Sequence, residues 1–340
     1  MTYREVLENA KKNMAPNCRV CRECNGAACR GEIPGVGGKG TGSSFLRNCE
    51  QLAKIKINMD LIYENKGQDT SVELFGRKFA APVFAAPISG LKGNYNGFLS
   101  ERTYAEALVP GCKKAGCAAF TGDGAPDFYF RDPLDAVKAA GGAAVPTVKP
   151  WDRETAFAKL DLAAEAGAMA VAMDIDAAGL PLLAAAGKPV CSKSIAELAE
   201  IVSHADRPFL LKGIMTPVGA IKAIECGAYG IVVSNHGGRV LDGTPATIEV
   251  LPEIRAIVRD KVKIFMDGGI RSGYDVFRAI ALGADAVLIG RPYVTAACGG
   301  GEEGVALYTE KIISELREAM RMTGCATLAD ITPEKVRVTG

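Results

Sequence analysis

The chain has 340 residues, 48% apolar and 23% charged, a composition that supports a large buried core and excludes disorder as the main state. Its formal net charge is +1, and its 40 basic residues are dispersed, which argues against nucleic acid or an acidic membrane surface as partner and toward small neutral or anionic ligands. There is no run of eighteen uncharged apolar residues, and residues 1–12 are charged and amphipathic, so neither a membrane span nor a signal peptide is expected; the cysteines are expected as cytoplasmic thiols or ligands.

In chain order, residues 2–13 read as a helix, 18–44 as a Cys- and Gly-rich loop, and 70–79 as a hairpin turning at Gly76. Within the loop, Cys18, Cys21, Cys24 and Cys29 place four thiols close enough for zinc or an iron–sulfur cluster. The spacing departs from both standard patterns, so free thiols are the alternative, and an iron–sulfur cluster would suit an enzyme that must pass electrons onward. Arg19, Arg22 and Arg30 would offset its charge. The other seven cysteines read as small core residues.

From residue 81 onward, short β-branched or small-apolar runs alternate with amphipathic helical stretches, the pattern of repeated βα units around a parallel sheet. The candidate strands are 81–87, 118–122, 143–148, 169–176, 209–213, 230–235, 263–269 and 286–292. Eight such units predict an α/β fold of the (β/α)8 (TIM) barrel type over 81–325, with a six-stranded doubly wound sheet as the competing arrangement. Residues 1–80 then form a Cys-rich extension capping the barrel's N-terminal side or its mouth, and 326–340 a C-terminal tail.

In such a barrel the strand ends converge on one mouth. The seventh and eighth end in Asp267-Gly-Gly-Ile-Arg271 and Gly290-Arg-Pro, where free backbone N–H groups, a helix N-terminus and two arginines make a phosphate site. Tight βα turns are the plainer reading of either glycine motif alone. The sixth ends in Ser234-Asn-His-Gly-Gly-Arg239. There His236 is a candidate general base, Arg239 a carboxylate clamp, and Gly237 and Gly238 allow close backbone approach. A base needs an orienting carboxylate, and Asp176 is the candidate; Asp174, two residues earlier, would face the same way on a strand, so spacing does not choose between them. Lys212, at the end of the fifth strand, is either a core ion-pair partner or a cation that stabilises charge on a redox cofactor.

The runs Leu211-Lys-Gly-Ile, Ser234-Asn-His-Gly-Gly-Arg-Val-Leu-Asp, Leu251-Pro-Glu-Ile, Asp267-Gly-Gly-Ile-Arg-Ser-Gly-Tyr-Asp and Ile289-Gly-Arg-Pro resemble the FMN-dependent α-hydroxy-acid dehydrogenase family, which includes glycolate oxidase, L-lactate oxidase and mandelate dehydrogenase. The likeness is dense over 205–325 and weaker but colinear over 70–205. It implies FMN bound by Ala86, Pro87, Ser89, Lys212, Ser234, Asp267 and Gly268, with its phosphate on Gly269, Arg271, Gly290 and Arg291. It also implies His236 as base, Asp176 as its support, Arg239 as clamp, Lys212 near the flavin's N1 and O2, and a homotetramer. The reaction expected is oxidation of a small, lactate-like L-2-hydroxy acid to the 2-oxo acid, with electrons passed to a protein or quinone rather than to oxygen.

The sequence departs from that pattern in three places. The loop after the fourth strand is short and lacks the family's second substrate arginine; Val145-Pro-Thr-Val-Lys149 stands where the family has glutamine and tyrosine; and no substrate tyrosine occurs within 35–44. Lys149 is either a replacement cation or a solvated strand-end lysine. Two other readings compete: a flavin-dependent isomerase like type 2 isopentenyl diphosphate isomerase, which His236 and Arg239 argue against, and a non-catalytic flavin and metal redox sensor.

Overall fold

The computed structural model describes residues 1–339 apart from 181, 182, 184 and 189. Eight parallel strands close into a barrel: β1 (Val83–Ala85), β2 (Ala118–Thr121), β3 (Ala144–Val148), β4 (Val171–Asp174), β5 (Phe209–Ile214), β6 (Gly230–Val233), β7 (Lys263–Met266) and β8 (Ala286–Ile289). Each pairs with its neighbour in sequence, and β8 returns to β1 through Val287 opposite Val83. The barrel expected from the alternation is therefore the fold, and the six-stranded sheet is excluded.

Two-residue periodicity sorts the strand side chains. Phe84, Phe120, Val145, Ala172, Leu210, Val232, Phe265 and Leu288 point inward and fill the barrel, while Val83, Ala119, Met173, Leu211, Ile231, Ile264 and Val287 face the surrounding helices. The interior is occupied by bulk, with the Phe84 and Phe265 rings 5.7 Å apart and Phe120 6.1 Å from Phe265. Alanines at 118, 170, 172 and 286 make room for those rings.

The first 80 residues reach both ends of this cylinder. At the strand N-termini, the antiparallel hairpin of Val72–Leu74 and Arg77–Phe79 drives Phe75 against Phe84, Tyr229 and Phe265, with centroid separations of 6.2, 5.3 and 5.8 Å. Over the mouth lie the helix Ser43–Lys54 and the glycine-rich loop before it. Lys39 donates from Nζ to the Gly179 and Val240 carbonyls at 2.9 Å, and Asp242 accepts from the backbone and hydroxyls of Thr41 and Ser43. The helix Tyr3–Asn13, opened by a Thr2/Glu5 capping box, runs along the long helix Arg291–Arg321 instead. The tail is tied back as well: Val336–Val338 pairs antiparallel with Ile55–Ile57. Among the described residues, no helix is long and apolar enough to cross a membrane.

The regular strands stop two to three residues before several expected ends, because the glycines and polar residues there turn the chain. The consequence is largest at β4. It ends at Asp174, and Ile175–Gly179 winds into a 3-10 turn. The alternation that would have aimed Asp174 and Asp176 the same way is broken, yet the turn brings both carboxylates to His236, with oxygens within 4.8 Å of each other.

Replacing Phe75 removes a ring that is 8% exposed and plugs the barrel floor, far from the mouth. Phe75→Ala is expected to cost roughly 3 kcal/mol, read by denaturant unfolding, while the folded fraction keeps its mouth chemistry.

Candidate active site at the C-terminal mouth of the barrel

The chain leaves β6 through Ser234 and Asn235 and then takes three successive left-handed residues: His236 at φ 57°, Gly237 at 62° and Gly238 at 79°. For a histidine that conformation costs on the order of 1 kcal/mol, and the surroundings impose it. The His236 N–H donates to Ser234 Oγ at 3.0 Å, and Asn235 is clasped by reciprocal amide bonds to Asn48 of the covering helix at 2.8 and 3.0 Å. A side chain at Gly238 would strike the Phe45 backbone nitrogen at 2.5 Å, so only glycine lets the cap settle there.

The His236 ring is nearly enclosed, and each nitrogen has a carboxylate. Nδ1 lies 2.9 Å from Asp176 Oδ1, and Nε2 lies 4.0 Å from Asp174 Oδ2. The acceptor at Nδ1 fixes the proton there and leaves the Nε2 lone pair as the basic site. Two buried lysines complete the cluster. Lys212 Nζ is 3.9 Å from Asp176, 3.6 Å from Asp267 and 3.4 Å from His236 Nδ1, and Lys149 Nζ is 2.5 Å from Asp174. Asp123, which accepts from Lys149 N, Trp151 Nε1 and Lys159 Nζ, holds the β3 end in place.

These contacts set the protonation states. Burial, then the charges of Lys212 and Lys149, press the His236 imidazolium well below its ordinary range, with Asp174 opposing them. Burial alone would lower the Lys212 ammonium, but Asp176, Asp267 and Asp174 together raise it. Burial pushes the Asp176 carboxyl up, against Lys212 and Lys149. The outcome is a neutral imidazole with a free Nε2, the form a general base needs.

Beside it, a cavity of about 540 Å³ runs from Lys212 and Asp267 along Ala86, Pro87 and Ile88 to Gly268, Gly269, Arg271, Gly290 and Arg291. Gly269 is left-handed at φ 86°, and a Cβ would meet the Asn48 carbonyl at 2.6 Å. Gly290 precedes the N-terminus of the helix Arg291–Arg321, whose first N–H groups and dipole favour an anion. Arg271 and Arg291 are held by backbone carbonyls, Cys24 and Ile270 for the former, Val36 and Gly237 for the latter. The Phe45 ring lies against both guanidinium groups, with centroid distances of 5.6 and 3.9 Å. Each arginine leaves Nη2 buried and without a partner among the described residues, as does Nε of Arg239. Rigid, desolvated cations aimed at one cradle fit the phosphate of a flavin mononucleotide.

A second cavity, of about 1130 Å³, adjoins the first, and Pro87, His236 and Arg239 line both. Lys149, Tyr129, Leu180, Leu183 and Ser89 wall the second. The structure thus gathers His236, Asp176, Lys212 and Arg239 with Ala86, Pro87, Asp267, Gly268, Gly269, Arg271, Gly290 and Arg291. Ser89 faces the neighbouring cavity, with its hydroxyl on the Asp123 carbonyl, and Ser234 is fully buried beneath His236 without lining either cavity. Cys18, Cys21, Cys24 and Cys29 lie outside this constellation, around a cavity behind the phosphate cradle. Among the remaining cysteines, Cys191 is exposed and Cys49 half-buried, so the core reading holds only for Cys112, Cys117, Cys226, Cys298 and Cys325.

Sequence reasoning missed Tyr95, which is buried and lines the same cavity as Arg271 and Arg291, its hydroxyl donating to the Gly35 carbonyl at 3.3 Å. It ends the short helix Leu91–Tyr95 that follows β1, far in sequence from 35–44, where the family's substrate tyrosine was expected. The Asp174–Lys149 pair was legible only as two separate residues. Pro181, Leu182 and Ala184, in the short loop after β4, lie outside the described residues.

Residues 36–186 and 184–338 match the FMN-dependent dehydrogenase family. The chain belongs to that family. An L-lactate oxidase from Lacticaseibacillus rhamnosus is 31% identical over 345 residues, covering 91% of this chain and 90% of that one. A 4-hydroxymandelate oxidase from Amycolatopsis orientalis is 34% identical over 334 residues, covering 88% and 93%. A solved mandelate oxidase variant with 2-hydroxy-phenylacetamide superposes with a TM-score of 0.80 at 26% identity, covering 99% of this chain and 98% of that one. FMN is the cofactor of the family, and the unpartnered guanidinium groups of Arg271 and Arg291 beside Gly269 and Gly290 are chemically suited to a phosphate.

Two expectations follow. Arg271→Ala should weaken FMN binding roughly tenfold or more by removing a charge-assisted donor, whereas His236→Ala should retain FMN, as measured by flavin content after gel filtration. Because the rate falls as pH drops through the folded His236 value, the acid limb of kcat/KM should lie below about 6.5, the ordinary imidazole value. Lys149→Met, which removes a lowering charge and frees Asp174, should move that limb upward.

Proposed function

We propose that this chain oxidises a small, lactate-like L-2-hydroxy acid to the 2-oxo acid and passes the electrons to an acceptor other than oxygen. The observation that carries the reading is the wall shared by the two cavities, where one neutral base and one guanidinium stand together. A 2-hydroxy acid needs a cation for its carboxylate and a base for its hydroxyl or α-proton. Arg239, with Nε buried and unpartnered among the described residues, supplies the first, and His236 Nε2 supplies the second.

Asp176 keeps the imidazole in the reactive tautomer and balances the charge it acquires with the proton. Lys212 places a fixed cation at the inner end of the cofactor cavity, where it favours negative charge. When bound, FMN supplies the two-electron acceptor. Lys149 is committed to Asp174, so Arg239 is left to hold the carboxylate, and Leu180 and Leu183 offer an apolar wall to the substrate's side chain. The lactate- and hydroxymandelate-oxidising relatives support this substrate class. The reading of the acceptor rests on the Cys-lined cavity, which shares Tyr95, Arg271 and Arg291 with the cofactor cavity. The isomerase and sensor alternatives are not favoured, since neither uses a base beside a carboxylate clamp.

The test is anaerobic bleaching of flavin absorbance by L-lactate, glycolate and L-mandelate in turn. L-lactate should bleach it, D-lactate should not, and His236→Ala should slow the step by roughly 10² to 10⁴ with flavin retained. Arg239→Met should raise the half-saturating concentration. Ferricyanide should then restore the oxidised flavin faster than air. Full flavin occupancy with no bleaching by any of the three acids would contradict the proposal.

A further inference from the structure

Behind the phosphate cradle, Cys18, Cys21, Cys24 and Cys29 all line one cavity of about 1360 Å³. The segment that carries them has almost no regular secondary structure between the helix ending at Asn13 and the short turn Pro34–Gly37. It is nonetheless fixed, because Arg271 donates from Nε to the Cys24 carbonyl at 2.7 Å and Arg19 pairs with Glu32 at 2.8 Å. Cys18 and Cys29 are half-buried, and Cys21 is exposed at the rim. The proton and carboxylate chemistry at the barrel mouth uses none of these thiols; only the reading of the acceptor draws on their cavity.

Three observations point to the same ligand. First, Cys18, Cys21 and Cys24 follow one another with two intervening residues, the spacing of the first three ligands in bacterial ferredoxins, and Cys29 supplies a fourth thiol from the same cavity wall. Second, a four-iron cluster bonds each thiolate to a different iron, and the four thiols that line this cavity supply one for each. Third, four thiolates and their cluster are anionic, and five basic side chains, Arg271 and Arg291 among them, face this cavity against the single acidic Glu23.

We propose that this cavity binds a four-iron, four-sulfur cluster through Cys18, Cys21, Cys24 and Cys29. The inference goes beyond the reading of the barrel mouth and does not depend on which acid is oxidised there.

The test is to purify the full chain without oxygen, after reconstitution with ferrous iron and sulfide, and to measure iron, acid-labile sulfide, zinc and flavin in one sample. The expected result is about four irons and four sulfides per chain, with a paramagnetic signal appearing on reduction. Cys21→Ser, at an exposed position that leaves packing intact, should lose at least nine-tenths of the iron while keeping flavin. Cys191→Ser, on the exposed surface elsewhere, should keep both. One zinc per chain without iron, no metal after reconstitution, or full iron in Cys21→Ser would each overturn the proposal. Iron without flavin would instead sink the flavoenzyme reading and leave the cluster standing.

Discussion

Lys149 and Lys212, each 6% exposed or less, stand among Asp174, Asp176 and Asp267 at the barrel mouth, with Arg239 beside them. Counted as ionised, the three cations and three carboxylates cancel, and the cluster is neutral only if His236 is neutral too. Buried ions cost several kcal/mol each unless they are paired, and removing one partner of such a set typically costs about 3 to 5 kcal/mol. The balance is therefore a folding constraint and a catalytic setting at once. It keeps Nε2 unprotonated, yet leaves Asp176 and Asp174 at hand when a proton arrives.

That cluster can exist only because the barrel and its cap exclude water from both sides. The phenylalanine-filled interior supports the strand ends from below, and the Asn48–Asn235 clasp and the Asp242 contacts seat the cap above. The same cap brings Phe45 under the two phosphate-cradle arginines and Tyr95's neighbour Gly35 to the cavity edge. An extension that looks accessory in sequence thus supplies part of the wall of the cavity beside His236.

How much of this was legible beforehand follows from where local chemistry decides geometry. The eight strands announced themselves through short apolar runs, and the phosphate cradle through glycines next to arginines, since both signals are local. The pairing of His236 with Asp176 rather than Asp174, implied by the family resemblance, was not legible from spacing. It depends on the 3-10 turn at Ile175–Gly179, and two-residue alternation assumes a strand that has already ended. Tyr95 was missed because its place is set by packing between the first loop and the cap, 60 residues from its partner Gly35. Ser234 was expected beside the flavin; its Oγ accepts from the His236 N–H, and it lines neither cavity. The direction of Lys149 was also a tertiary matter: the backbone N–H of the same residue is captured by Asp123, which turns its ammonium inward to Asp174.

With only two histidines in the chain, the central claim is open to direct observation. Nitrogen NMR of histidine-labelled protein, with His204→Gln to assign the signals, reports tautomer and charge of His236 as pH is lowered. The account predicts a neutral ring, protonated at Nδ1, that persists below about 6.5. An imidazolium at pH 7, or a proton on Nε2, would contradict it.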